Sequence, residues 1–193
     1  MALPQHPPGR QAHVRDPHVL RALAHPLRTR LLGLLRLDGP STASRLGARV
    51  GQSSGVTSYH LRQLEQYGFV AELPDKGTRR ERWWQAQHQL TNWEPDELVD
   101  QPGGREANAA MQRLQVEVMG RELRAWLTAE QPREWAAVAG MSDYVLHRTP
   151  TQTRQVLDEL YGVLDHWAAE HRQPGDGTAQ VNVFTAVFPR IGS

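Results

Sequence analysis

QSSGVTSYHLRQLEQYGFV, residues 52–70, is the stretch whose reading decides the fold. As a helix from about Ser53 to Gln66 it brings Thr57, Leu61 and Leu64 together at spacings of four and three. That is a narrow apolar stripe able to pack on a core. Off the stripe stand Ser54, Ser58, Tyr59, Arg62 and Gln63, a face of hydroxyl, guanidinium and amide groups with almost no negative charge. Such a face suits the major groove of duplex DNA, where base edges offer donors and acceptors between flanking phosphates. Ser53 or Ser54 can cap the helix, and Gly68 can end it in a left-handed turn. An ordinary amphipathic surface helix would show the same stripe, so the flanking sequence has to decide.

Upstream, Asp16 caps a helix that has Pro17 at its first position and Val19, Leu20 and Leu23 on its buried side. His25-Pro26 breaks the chain, because the residue before proline is pushed away from helical angles. A second helix follows from about Pro26 to Leu37, with Leu27, Leu31, Leu34 and Leu35 on one face, and Gly39-Pro40 stops it. Ser41 or Thr42 then caps a short helix, TASRLGARV (42–50), that points Ala43, Leu46 and Val50 inward. Gly51 supplies the tight turn into the reading helix. Two short helices joined by about three residues including glycine are a helix-turn-helix.

Downstream the period changes to two. Phe69 to Leu73 reads as a strand, PDKGT (74–78) as a turn and Arg80 to Ala86 as the returning strand. Lys76, Arg79, Arg80 and Arg82 fall at or beside the tip of that hairpin, where they can meet phosphates. Trp83 and Trp84 face opposite ways, so one packs on the core and the other covers the outer side of the hairpin. The whole is a winged helix-turn-helix.

Residues 17–88 resemble the ArsR-type winged helix-turn-helix family of bacterial transcriptional regulators. The matching segments are ALAHPLRTRLL (22–32), the Gly39-Pro40 stop, SYHLRQLEQYGFV (58–70) and RERWW (80–84). The resemblance implies a homodimer on a near-palindromic operator, often repressing until an effector releases it. It also implies base contacts from Ser54, Gly55, Ser58 and Tyr59, with His60 helping to seat the helix. The candidate DNA-binding set is therefore Ser53, Ser54, Gly55, Ser58, Tyr59, His60, Arg62, Gln63, Lys76, Arg79, Arg80 and Arg82. Many relatives sense metals through cysteine pairs. This chain has no cysteine, which removes thiolate metal sensing, disulfides and cysteine nucleophiles.

The chain has 193 residues, enough for one domain or two small ones, and its net charge of +1 hides a split. Residues 1–88 hold 13 Lys and Arg against 6 Asp and Glu, and the remainder holds 9 against 15. A basic half on an acidic half suggests a polyanion-binding module carried by a second module. The expected division is a disordered tail (1–16), the winged helix-turn-helix (17–88), a linker (89–104) and a dimerisation and effector region (105–193). The class is mainly α with small β, and the absence of a signal-peptide core or apolar span points to the cytoplasm.

In the second half a long helix is expected from about Glu106 to Glu130. Its apolar side, from Ala110, Met111, Leu114 and Val118 round to Met119, Leu123, Trp126 and Leu127, is broad enough to be buried on more than one face, as a dimer or domain-packing helix would be. DYVLHR (143–148) and AQVNVFTAVF (179–188) read as strands that pair in a small sheet. Between them Thr149, Pro150 and Gln152 form a capping box, opening a helix with Val156, Leu157, Leu160, Val163, Leu164 and Trp167 inward. Trp93, Trp126, Trp135 and Trp167 could line a ligand pocket, though aromatics in a helical layer are more often core or dimer interface.

His166 and Glu170 are four apart, with His147 a possible neighbour. HWAAEH (166–171) has one residue too many for the zinc-protease pattern H-x-x-E-H, so surface residues are the plainer reading and no metal is assigned. No glycine-rich phosphate loop, nucleophile elbow or Walker lysine occurs, and Lys76 is the only lysine. No enzyme activity and no cofactor are called for. The sequence thus points to a dimeric, sequence-specific DNA-binding transcriptional regulator, probed by duplex DNA and a possible small-molecule effector. The alternatives are a constitutive DNA-binding protein with a purely structural second half, and a winged-helix module that binds protein.

Overall fold

The computed structural model describes residues 11–78, 81–170 and 178–190. The first element is a short strand, β1 (Gln11–His13), followed by α1 (Pro17–Leu23) and α2 (Pro26–Leu37). The His18 N–H donates to the Asp16 carboxylate at 2.8 Å, and Pro17 opens α1. His25 caps α2, its Nδ1 accepting from the Leu27 N–H at 3.2 Å. Next come β2 (Ser41–Thr42), α3 (Ala43–Val50) and α4 (Ser54–Gln66). Thr42 caps α3 and Ser53 caps α4, while left-handed Gly51 closes α3. The turn is tight enough to demand glycine at a second place: a Cβ on Gly47 would lie 2.6 Å from the Gln52 carbonyl and 3.0 Å from Thr57 Oγ1.

The hairpin is β3 (Val70–Thr78) with β4 (Glu81–Ala86), and β2 joins it to give the order β2-β4-β3. The expected turn at 74–78 is instead the far end of β3. Pairing is regular from Val70↔Ala86 to Leu73↔Trp83, then shifts before Thr78↔Glu81. Pro74 has no N–H to give a ladder, and it survives here because β3 is an edge strand with an irregular register.

Two expectations need correcting at the module's borders. The tail does not reach Asp16: β1 pairs in parallel with β5 (Leu90–Asn92), and Val14 is buried. The expected linker at 89–104 is structured, holding β5 and α5 (Pro95–Val99) with Leu98 fully buried. Next, α6 (Gly104–Thr128) starts so close to α5 that a Cβ on Gly104 would sit 1.8 Å from the Leu98 carbonyl oxygen. Ala107, Met111 and Leu114 of α6 join the core of Leu20, Leu31, Leu46, Leu61, Phe69 and Trp84. Arg36 ties α2 to the β5 side, donating to the His88 carbonyl at 2.9 Å and to Thr91 Oγ1 at 2.7 Å. Burial lowers its pKa to about 10, so it stays charged at neutral pH.

The chain divides into two compact units, one of residues 9–121 and one that includes 122–193. The second holds the end of α6, α7 (Arg133–Ala136) and α8 (Pro150–Glu170). The capping box of α8 forms as expected: Thr149 N–H donates to Gln152 Oε1 at 3.1 Å and Gln152 N–H to Thr149 Oγ1 at 3.2 Å. The expected sheet does not form, since neither 143–148 nor 179–188 enters a ladder among the described residues. Alternating β-branched residues favour a half-buried strand, but that pattern cannot supply the partner edge a strand needs. The mainly helical class with small sheets holds, and among the described residues the sheets all lie in the first unit. No described helix is long and apolar enough to cross a membrane.

Candidate nucleic-acid interface

The stripe of α4 is buried, with Thr57 and Leu61 fully covered and Leu64 nearly so. Thr57 Oγ1 donates to the Ser53 carbonyl at 2.9 Å, which lets a hydroxyl sit in the core without cost. The opposite face is open. Ser54, Gly55, Tyr59 and Arg62 are exposed, and Tyr59 keeps 57% of its surface in solvent. Ser58 and Gln63 are half-buried on the flanks. Ser53 is committed locally, because its Oγ accepts from the Val56 N–H at 3.3 Å. Seven of the twelve expected residues thus separate into an open stripe, two flanks and a cap.

His60 turns away from the open face. Its ring lies against His25, centroids 4.6 Å apart, while Tyr59 meets it edge-on at 5.1 Å. His60 Nδ1 is buried without a hydrogen-bond partner, as is Arg28 Nε. Burial first, then Arg28, lowers the pKa of His25; burial, His25 and Arg28 lower that of His60. Both rings are therefore held neutral at physiological pH, in line with the Nδ1 acceptor that caps α2.

On the wing, Lys76 is exposed, and Arg82 pairs across the hairpin with Glu72 at 3.3 Å. Arg79 and Arg80 lie outside the described residues. Trp84 is buried in the core and Trp83 is on the other face of β4, as the alternation predicted. Arg45 and Lys76 both lie over the Trp83 ring. Sequence reading passed over Arg45, since nothing local in TASRLGARV signals a contact with β4. No group of three or more His, Asp or Glu side chains able to hold a metal occurs among the described residues. His166 packs edge-on against Trp167, and the Glu170 side chain lies outside the described residues.

Helix α3, the glycine turn, helix α4 and the β3–β4 hairpin are the parts of a winged helix-turn-helix in order. Residues 23–72 match the model of a helix-turn-helix domain. The matched segment ends inside β3, so the helices and the start of the wing carry the match. Three solved structures are also similar. The transcriptional regulator Tm0710 from Thermotoga maritima is 15% identical, with 80% of this chain and 86% of that one covered and a TM-score of 0.32. The disulfide-formed AbfR is 16% identical, with 74% and 70% covered and a TM-score of 0.29. A further transcriptional regulator is 20% identical, with 75% and 80% covered and a TM-score of 0.29. Among curated proteins none matches the chain.

Proposed function

We propose that this protein is a sequence-specific transcriptional regulator that binds duplex DNA as a homodimer, with α4 in the major groove and the wing on the adjacent backbone. The observation that carries the reading is the division of α4 between its buried stripe and the open Ser54, Gly55, Tyr59 and Arg62. Only the second set is free to meet base edges. The basic balance of residues 1–88 supports it by supplying long-range attraction to a polyanion.

Dimerisation is assigned to the second unit and the end of α6, where apolar side chains stand exposed. A two-fold dimer sets two reading helices about 34 Å apart, one turn of DNA. The resemblance to ArsR-type regulators supports repression relieved by an effector. With no cysteine, that effector is not a thiophilic ion, and the aromatic residues Trp126, Trp135 and Trp167 are where it would be received. The test joins two measurements on the full chain. Sedimentation at micromolar concentration should give twice the chain mass, and selection from random duplexes should return a near-palindrome bound more tightly than scrambled DNA. A monomer, or equal affinity for all duplexes, would overturn the proposal and favour a protein-binding winged helix.

A further inference from the structure

The helix-turn-helix and the wing meet at Trp83. Arg45 Cζ stands 4.9 Å and Lys76 Nζ 5.0 Å from the centroid of its ring. The two cations come from different elements, Arg45 from the first turn of α3 and Lys76 from the outer part of β3. The backbone explains why they converge. In β4, Trp83 lies opposite Thr42, the cap of α3, on one side and opposite Leu73 of β3 on the other. Trp84, the next residue, is locked in the core, so the ring of Trp83 is presented from a fixed strand.

A cation within about 6 Å of an aromatic centroid is attracted by the ring quadrupole yet keeps its N–H donors unused. The other arginine contacts nearby differ in kind. Arg82 is paired with Glu72 at 3.3 Å and Arg49 with Asp38 at 2.5 Å, so much of their charge is spent internally. Among the described residues neither Arg45 nor Lys76 has a carboxylate partner. Two like charges gathered on one ring, neither in an ion pair, repel each other, and an external anion would relieve that repulsion. In a helix-turn-helix the first helix crosses the DNA backbone, and α3 is that helix here.

We propose that Trp83 is a positioning residue that holds Arg45 and Lys76 as a two-cation clamp on the DNA backbone beside the reading helix. The clamp rests on the DNA-binding reading above, deepens it by adding Arg45, and gives Trp83 a role other than stacking on bases.

The test uses the full chain and a short random-sequence duplex, titrated at several salt concentrations. Arg45→Gln and Lys76→Gln should each flatten the slope of log affinity against log salt by about 0.9 per protomer. Trp83→Leu changes no charge, yet it should flatten the slope by more than either, and Trp83→Phe should restore most of it. A merely structural role for Trp83 would lower affinity and leave the slope alone. A folded Trp83→Leu variant with the wild-type slope therefore overturns the clamp while leaving DNA binding intact. If Trp83→Leu does not fold, the two charge variants decide, and unchanged slopes in both overturn it. Wild-type protein that binds no duplex at any salt would overturn the DNA reading itself, and the clamp with it.

Discussion

The two units spend similar side chains in opposite ways. From Val14 to Leu114 the chain buries most of its leucines, Phe69 and Trp84 in one core, with Leu37 and Leu90 left exposed. Beyond Leu114 no hydrophobic side chain is fully buried among the described residues, and Tyr144, Val183 and Phe188 stand in solvent, Tyr144 at 85%. On α8, Leu160, Val163 and Trp167 are exposed, and Val156, Leu157 and Leu164 reach only partial burial. Monomeric proteins rarely leave contiguous apolar patches of more than a few hundred Å². The difference teaches that the first unit buries its apolar side chains within one chain, whereas the second leaves its own exposed or half-buried. In the homodimer proposed above, a second copy would cover these side chains.

The sharpest way to break this contrast is a pair of tryptophans. Trp84→Ala should cost about 3–5 kcal/mol, since it empties a core site that is 1% exposed. Trp167→Ala, at a site 57% exposed, should leave the denaturant midpoint of the first unit unchanged and shift sedimentation towards monomer. Equal loss of first-unit stability in both variants would refute the division. Dilution makes the same point, because a unit stabilised by association melts lower as the protein is diluted and a self-contained one does not. A fragment of residues 1–121 should keep its midpoint, bind single half-sites and lose most of its operator affinity.

The first unit was also the more legible in sequence, and for the same physical reason. Caps, proline breaks and helical stripes are local. Asp16, the His25-Pro26 break, Thr42, Gly51 and the buried Thr57, Leu61 and Leu64 all fall where the residues put them. The open side of α4 could be read as the complement of that stripe. Features set by distant partners could not. Gln11 to His13 looks like polar tail until β5, far along the chain, offers it an edge. Arg45 becomes interesting only beside Trp83. The alternating residues of 179–188 announce a half-buried strand without naming what buries it, so the expected intramolecular sheet was the wrong completion.

A medium effect tests the turn that sets the reading helix. Gly47→Ala brings a methyl against the Gln52 carbonyl and Thr57 Oγ1, and backbone cannot yield as a flexible side chain can. We expect about 1–3 kcal/mol of destabilisation, typical of an overpacked core site, with loss of operator discrimination beyond the loss of fold. Gly33→Ala is the control, because a Cβ there meets nothing within 4 Å and alanine is the better helix former by about 1 kcal/mol. Chemical denaturation of the two variants, alongside binding to operator and scrambled DNA, reads both effects. If Gly47→Ala is as stable as Gly33→Ala, α3 and α4 do not approach as closely as described.

The smallest effect concerns His25 and His60, whose tilted rings lie 4.6 Å apart. Both folded-state pKa values lie below the ordinary 6.5, chiefly through burial, with Arg28 adding repulsion to each and His25 adding to that at His60. The groups facing the pair are Arg28 on α2 and Tyr59 on α4, with Tyr67 also acting on Arg28. A histidine whose pKa is depressed on folding favours the fold while neutral. Its contribution is complete above the unfolded value and is lost as pH falls from about 6.5 through the folded one. Protonating His25 at Nδ1 would also remove the acceptor that caps α2. Acidification should therefore lower first-unit stability and reduce operator discrimination, even as added positive charge strengthens binding to random DNA. His60→Phe keeps a ring against His25 and removes one titrating group, so its stability should fall less steeply below pH 6.5 than that of the wild type. Chemical denaturation at a series of pH values compares the two curves, and identical slopes would place the acid sensitivity elsewhere.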